Sequence, residues 1–214
     1  MALAFVQSNS DWSDLGGGTP AASLGVALTG VGAGNLIALW CKHEGAATTY
    51  SVSDGTTTLT NGTIVNHSNN DLHGLWAYLL VGNSGNKTYT VTFGASRPYV
   101  RVHVWEFSYT GTLSLDTQNT GSGNGAAPAS GAITTAGTDE VVFGSYGEYN
   151  AGVVTSPLIT GAAATGSRIN SPLGSLAASW YRLPGATFAG GTASCSITIG
   201  DDWLCNVIAF TTDA

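Results

Sequence analysis

The feature of this sequence that most limits its fold is a regular succession of short apolar segments separated by turn residues. Strand-like segments recur about every ten residues, near 4–8, 23–29, 35–41, 48–53, 74–81, 87–93 and 99–109, and again near 113–119, 131–135, 140–147, 176–183, 192–199 and 203–211. Asp54-Gly55 and Asn61-Gly62 supply the positive φ angles of tight hairpins. The pattern predicts an all-β, antiparallel sandwich, jelly-roll-like in architecture.

One segment shows the alternation of a strand with particular clarity. In residues 99–109, Val100, Val102 and Val104 share one face, while Arg101, His103 and Trp105 share the other. Such alternation is typical of a half-buried strand, so we expect the second face to meet solvent.

The two sets of segments correspond in order, which indicates an internal duplication. Residues 35–40 match 140–145, residues 89–94 match 195–200, and the Val104–Phe107 stretch matches Val207–Phe210. Residues 6–9 likewise resemble 117–120. Because order and content both repeat, we predict a single β-sandwich domain over 1–214 made of two repeats, about 1–110 and 111–214. Two small sandwich lobes remain the alternative, since each half has strands enough for one.

Charge excludes several classes of function. Charged residues make up 9% of the chain, against about a quarter in ordinary soluble domains, and six basic and 13 acidic residues leave a net charge of −7. So few cations cannot neutralise a run of phosphates or bind an anionic bilayer, so neither nucleic acid nor membrane is an expected partner. Residues 1–6 lack the basic and apolar regions of a signal peptide, so we expect either that a leader has been removed or that the protein leaves its cell without one, most commonly in a virus particle released by lysis.

The three cysteines Cys41, Cys195 and Cys205 lack the Cys-x-x-Cys spacing of a zinc site. We expect buried thiols that act as small apolar residues. Cys195 and Cys205 flank one predicted hairpin, so a bond between them is the alternative.

Catalytic patterns are weak in this sequence. No Gly-x-Ser-x-Gly elbow accompanies the histidines, which are His43, His67, His73 and His103. Among the carboxylates that could serve glycoside hydrolysis, Glu106 is the first choice, because it shares the valine face of its strand and a buried carboxylate can act as an acid. The structural alternative is a carboxylate satisfied by Arg97, Arg101 or a backbone N–H. Its counterpart in the second half is Ala209, so the duplicated fold does not require it.

Two kinds of binding site are also conceivable. Exposed aromatic rings stack on sugars, and Trp12, placed in a predicted loop, together with Tyr146 and Tyr149 near a strand end, are candidate platforms; core packing is the alternative. Calcium needs converging oxygen ligands, for which Asp71 with Asn69 and Asn70, or Asp201 with Asp202, are candidates. Neither run has the spacing of a known calcium loop, so simple turn formation is favoured and no cofactor other than calcium is expected.

Several motifs together carry a family resemblance. They are Gly34-Asn35-Leu36-Ile37, Trp76-Ala77-Tyr78, Thr90-Val91-Thr92-Phe93 and the run Val102 to Ser108 with its Glu106-Phe107. This frame resembles uncharacterised duplicated β-sandwich modules of secreted bacterial proteins and of tailed-bacteriophage structural proteins. The resemblance extends from Gly34 to Phe210 and implies the fold, but it implies no catalytic residue.

These observations favour a non-enzymatic structural or interaction protein. The expected role is a decoration or tail-associated component of a bacteriophage virion or another extracellular assembly, with other virion or surface proteins, or further copies of the chain, as partners. A carbohydrate-binding module that recognises glycans is the first alternative, and a glycoside hydrolase or lyase is the second.

Overall fold

The computed structural model describes residues 3–13, 19–67, 71–149, 152–160, 162–170, 176–187 and 189–213, without the side chains of 169 and 170. These residues form strands and turns and contain no helix, so none is long and apolar enough to cross a membrane. Strands account for more than half of the chain, as the turn spacing predicted.

The strands divide into two sets of eight along the chain. The first set is β1 (Leu3–Trp12), β2 (Ala21–Val31), β3 (Leu36–His43), β4 (Tyr50–Ser53), β5 (Thr60–His67), β6 (Leu72–Leu79), β7 (Gly85–Arg97) and β8 (Arg101–Tyr109). The second set is β9 (Thr112–Gly125), β10 (Glu140–Glu148), β11 (Val154–Ile159), β12 (Ala162–Ala163), β13 (Gly166–Asn170), β14 (Ala177–Arg182), β15 (Ala193–Ile197) and β16 (Asp201–Asp213).

Each set makes one sandwich of an inner and an outer sheet. Inner sheet 1 has the order β1-β8-β3-β6-β5, and outer sheet 1 has the order β2-β7-β4. Inner sheet 2 is β13-β14-β10-β16-β9, and outer sheet 2 is β12-β11-β15. All of these strand pairs are antiparallel.

The pairing within the first sandwich is that of a rolled-up hairpin. The first strand pairs with the eighth, the second with the seventh and the third with the sixth. The chain from β4 to β5 folds back through the Ser53–Thr58 bridge. This nesting gives the jelly-roll-like arrangement that we expected.

The second sandwich repeats the strand order of the first, with isolated bridges near 129–133 in the place of β2 and with β12 added to outer sheet 2; this shared order confirms the duplication. Leu36 pairs with Phe107 between β3 and β8, and the equivalent Val141 pairs with Phe210 between β10 and β16. An asparagine on each first strand makes the same contacts: Asn9 Nδ2 donates to the Ala27 carbonyl at 2.9 Å, and Asn119 Nδ2 donates to the Ala132 carbonyl at 2.8 Å. The structure therefore matches Asn9 with Asn119, one residue away from the sequence alignment of 6–9 with 117–120.

The two sandwiches stack through their inner sheets, so the molecule has four layers and three apolar cores. The outer cores lie within each sandwich, and the central core lies between the two inner sheets. The central core is rich in large rings, which meet at tilted and edge-to-face angles: Trp40, Trp76, Trp105, Phe107, Phe143, Tyr181 and Phe210. Trp40 packs so closely over Gly74 that a Cβ atom at this position would clash with the ring.

Stacking buries both faces of the inner sheets. Strands β3 and β10 are buried at every position, and Arg101, His103 and Trp105 are as inaccessible as the valines between them. The prediction of a half-buried strand at 99–109 was therefore wrong: the alternation is real, but the second face meets the other sandwich rather than water.

The sequence pattern missed several polar strands, of which β5 and β13 are edge strands of the inner sheets and β11 is the central strand of outer sheet 2. Strands β5, β11 and β13 were not predicted, because their Thr, Asn and Ser residues resemble loops. The predicted strand at 131–135 forms only isolated bridges, at Ala129–Ser194 and Ile133–Gly191. The segment 131–135 occupies the place in the second sandwich that β2 takes in the first.

Candidate functional site

Charged and polar side chains gather at one end of the contact between the inner sheets, where β1, β3, β5, β10 and β13 end. We call this region the polar end. Lys42 and Glu44 follow the apolar run of β3 and form a buried salt bridge of 2.7 Å. Burial lowers the pKa of Lys42 to about 8, although the Glu44 carboxylate partly restores it. The polar end therefore holds a charge that the surrounding protein solvates poorly.

A serine and a histidine from opposite sandwiches meet in this region. His103 Nδ1 lies 2.8 Å from Ser179 Oγ, which also accepts a hydrogen bond of 2.9 Å from Trp105 Nε1. Both residues are completely buried, and burial lowers the pKa of His103 to about 3. A histidine of such low basicity, with no solvent path to the serine in this arrangement, is poorly suited to general-base catalysis. The pair instead ties the two sandwiches together.

The other three histidines lie at the same end of inner sheet 1. His43 and His73 are cross-strand partners whose rings stack at 4.9 Å. His43 Nε2 lies 2.7 Å from Tyr50 Oη, and His73 Nδ1 lies 2.6 Å from Asn66 Oδ1. Burial lowers the pKa of both rings, that of His43 to about 3. His67 approaches Asp202 across the inter-sandwich contact at 3.9 Å.

Glu106, the first catalytic candidate, is held by neutral donors. Its carboxylate accepts hydrogen bonds from Gln7 Nε2 at 2.6 Å, Asn35 Nδ2 at 2.6 Å and the Gly32 backbone N–H at 2.8 Å. The side chain is completely buried on the valine face. Glu106 is therefore a carboxylate satisfied by hydrogen bonds, as the structural alternative proposed. Its donors are two side-chain amides and one backbone N–H rather than Arg97 or Arg101.

The second sandwich carries its own buried carboxylate at a different position. Glu140 occupies the place of Asn35, and Ala209 that of Glu106, so the acid moves from the eighth strand of the repeat to the third. Burial raises the pKa of Glu140 to about 7, and the nearby Asp116 carboxylate adds to the rise. Sequence analysis did not single out this pair, but a Glu that begins an apolar run was a usable signal.

The aromatic candidates are placed differently from one another. Trp12 is the half-buried last residue of β1, rather than a loop residue, and pairs with Arg101. Tyr149 is 43% exposed. Tyr146 is completely buried, and its hydroxyl donates to Glu148 Oε2 at 2.7 Å, so it has no face to offer a sugar ring.

The calcium candidates do not converge in the described residues. Asp71 is exposed in a turn, and Asn69 and Asn70 lie outside the described residues. Asp202 accepts a hydrogen bond from Asn124 at 2.7 Å, and it and Asp201 are half-buried. Across the described ranges, no group of three His, Cys, Asp or Glu side chains is arranged to hold a metal ion.

The cysteines are free thiols. Cys41, Cys195 and Cys205 are all buried, and Cys205 donates to the Ala193 carbonyl at 3.4 Å. Burial raises the pKa of each thiol, which keeps it protonated and unreactive.

Two cavities accompany these groups in the described residues. One, of about 380 Å³, is an open groove between outer sheet 2 and β13, lined by Ser156, Pro157, Leu158, Ala163, Ala164, Thr165, Gly166 and Ser167. The other, of about 50 Å³, is lined by Leu3, Asp139, Glu140, Leu183 and Gly185. The candidate catalytic and calcium residues do not line either cavity.

Comparison with known proteins assigns no family to this chain. No family model matches it, and no curated protein does. Among solved structures, the crystal structure of the PBSX exported protein XepA is similar over 97% of this chain and 86% of that chain, with 12% sequence identity and a TM-score of 0.24. At that TM-score we draw no conclusion from the likeness.

Proposed function

We propose that this chain is a non-enzymatic structural or interaction protein that acts as a surface component of a larger extracellular or virion assembly. The observation that carries the proposal is the scarcity of fully exposed charge on the described surface. Among the charged side chains that the structure describes, Asp11, Asp71 and Asp213 are well exposed, whereas every lysine and arginine is half-buried or buried.

Such a surface is unusual for a protein that stays soluble alone. Free domains generally carry both signs of charge over about a quarter to a third of their surface. Buried interfaces are instead depleted in Lys, Glu and Asp and enriched in aromatic residues. The exposed large apolar side chains here are Phe5, Val6, Ile64, Val81, Tyr149, Val153 and Ile199.

Two of these apolar residues lie on adjacent chain segments at one end of outer sheet 2. The Thr198 backbone N–H donates to the Val153 carbonyl at 3.2 Å, and the Val153 N–H donates to Thr198 Oγ1 at 3.0 Å. These bonds place Val153, 60% exposed, beside Ile199, 58% exposed. We call Val153 and Ile199 the tip patch, and it is the first surface to test for a partner.

The non-enzymatic part of the proposal rests on how the reactive groups are used. Glu106 is bound by three donors, the Ser179–His103 pair is sealed between the sandwiches, and the thiols are protonated. Each of these groups already has a structural role.

The test is the state of the native protein. We expect mass measurement and electron microscopy of native material to find the chain in an assembly, with contacts above about 1,000 Å². A V153K/I199K double variant should fall out of the assembly. The matched control S51K/T92K places the same charges on exposed polar cross-strand partners of outer sheet 1, away from the tip patch, and should be retained. A monodisperse monomer in native material would overturn the proposal.

Carbohydrate binding is the second candidate, and the exposure of Tyr149 is the observation that favours it. Its ring is free to stack on a sugar, and Trp12 is partly accessible. A glycan array with the wild type and a Tyr149→Ala variant tests this role. Glycan binding that is lost in the variant would support the carbohydrate-binding role. If the wild type binds no glycan, assembly is the remaining role.

A further inference from the structure

One buried carboxylate of the described residues differs from all the others in its surroundings. Glu140 is 2% exposed, and no hydrogen bond reaches either of its carboxylate oxygens. The other buried carboxylates each accept hydrogen bonds from side-chain or backbone donors; they are Glu44, Asp54, Glu106 and Glu148. Buried polar groups in folded proteins are nearly always paired, so Glu140 calls for a positive partner.

A second carboxylate, that of Asp116, lies against Glu140. Asp116 sits at the bulge in the pairing of β9 with β16, and its Oδ2 accepts a hydrogen bond of 2.9 Å from the Ala136 N–H. Burial raises the pKa of Glu140 to about 7, and the Asp116 carboxylate raises it further. The nearby Thr135 hydroxyl and Gly137 N–H offset only part of this rise. Two carboxylates this close favour a positive charge between them.

The first repeat solves the same problem with amides. There Asn35 and Gln7 donate their side-chain N–H groups to Glu106, and the Gly32 N–H adds a third bond. In the second repeat Glu140 stands in the place of Asn35. One carboxylate with two amides has thus become two carboxylates, with no amide bonded to Glu140.

Hydroxyl oxygens complete the surroundings of this carboxylate pair. Thr211 is the cross-strand partner of Glu140, and Thr211 Oγ1 and Glu140 Oε1 both lie beside Gly137. Thr211 Oγ1 donates its proton to the Asp139 carbonyl at 3.4 Å, which leaves its lone pairs for another partner. The buried hydroxyl of Thr135 lies next to Glu140 as well. The cavity of about 50 Å³ that Asp139 and Glu140 line has room for a few water molecules.

We propose that Asp116, Thr135, Glu140 and Thr211 bind one calcium ion where β9, β10 and β16 meet. Calcium takes about six to eight oxygen ligands in flexible geometry, and it accepts carboxylates, neutral oxygens and water together. Two carboxylates suffice in charge, and Asp116 is half-buried, so an ion can reach the site from solvent. The ion would fasten residues 134–139, which precede β10, to the ends of β9 and β16. This site goes beyond the assembly role proposed above.

Calorimetric titration of the full chain with calcium chloride tests the site. The protein is first stripped of metal with EDTA and dialysed, and the titration is run at pH 8 and constant ionic strength. We expect saturable binding of one Ca²⁺ per chain and a higher urea midpoint at saturation. Magnesium chloride should bind more weakly, because Mg²⁺ demands stricter octahedral geometry. If the two carboxylates merely share a proton, calcium will show no saturable binding, and the proposal is overturned.

Two carboxylate variants make the test specific. Glu140→Gln and Asp116→Asn should each weaken calcium binding at least about tenfold, because ligand charge sets the affinity of such sites. Both should still fold, since each removes one of two charges that repel each other. The matched control is Asp71→Asn, which removes the same charge from an exposed turn where the positive φ suits asparagine. Calcium binding that survives both site variants, or that the control weakens equally, would overturn the proposal.

Discussion

The buried carboxyl group of Glu140 gives the sharpest prediction about stability. Burial, together with the Asp116 carboxylate, raises its pKa from 4.5 to about 7 in the folded protein. In the unfolded chain the group releases its proton near the ordinary value. Between these two pH values, the folded protein must therefore either keep a proton on Glu140 that the unfolded chain releases, or bury a charged carboxylate. The penalty is absent below pH 4.5, grows as the pH rises and is complete above about pH 7.

The size of the penalty follows from the two pKa values. Each tenfold change in proton affinity is worth about 1.4 kcal/mol, so a rise from 4.5 to about 7 sets a ceiling of about 3.5 kcal/mol. The carboxyl group lines the 50 Å³ cavity, where solvent screening reduces the effect. We therefore expect Glu140→Gln to stabilise the protein by about 1–3 kcal/mol more at pH 8 than at pH 4.

Urea unfolding at pH 4, 6 and 8 measures this difference directly. The wild type and Glu140→Gln should converge at pH 4 and separate steadily as the pH rises. Ser114→Ala, an exposed change on β9 that alters no titratable group, is the control and should run parallel to the wild type. Equal stabilisation at all three pH values, or destabilisation at pH 8, would refute the reasoning.

Three further predictions concern the rest of the molecule. Glu106→Gln should destabilise the fold by about 1.5–3 kcal/mol, because it disturbs charged hydrogen bonds. Neither the wild type nor the variant should hydrolyse glycans, and hydrolysis by the wild type that disappears in the variant would contradict the structural role of Glu106. Because the pKa of His103 is lowered to about 3 in the folded protein, the unfolded chain binds a proton there more readily below pH 6.5. The free energy of unfolding should therefore fall on acidification, by about 2 kcal/mol at pH 5 relative to pH 6.5 and above. The difference in urea midpoint between pH 7.5 and pH 5 should be smaller in His103→Gln than in the wild type. Because the sandwiches share the central core, calorimetry should record one unfolding transition, and two separate transitions would favour two independent lobes.

Much of the fold could be predicted from the sequence because it depends on local pattern. Turn dipeptides and alternating apolar residues specified an all-β chain, and the ordered recurrence of segments indicated the repeat that Leu36 with Phe107 and Val141 with Phe210 confirm. Whether residues 1–214 behave as one domain stays a prediction. The edge strands were missed because an exposed strand of Thr and Asn has no apolar periodicity to detect.

The candidate site was less predictable, because burial and pairing depend on residues far apart in sequence. Tyr146 and Tyr149 are three positions apart, yet one is sealed in a core and the other is exposed. Glu106 looked like a possible acid, but Gln7, Gly32 and Asn35 arrive from other strands to bind it. Arg168 on β13 donates a hydrogen bond to Asn9 on β1, and no local pattern could have paired them.

The sequence by itself determined the strand-rich chain, its duplication and its scarcity of charge, since these follow from residue order and composition. Tertiary structure alone decided that the repeats stack through their inner sheets. That stacking buries the face of β8 that contains Arg101 and His103. The free energy gained by burying the apolar residues of the same face offsets the cost of burying these two polar side chains. The pKa of each buried group, and hence its chemistry, follows from that packing rather than from its neighbours in the chain.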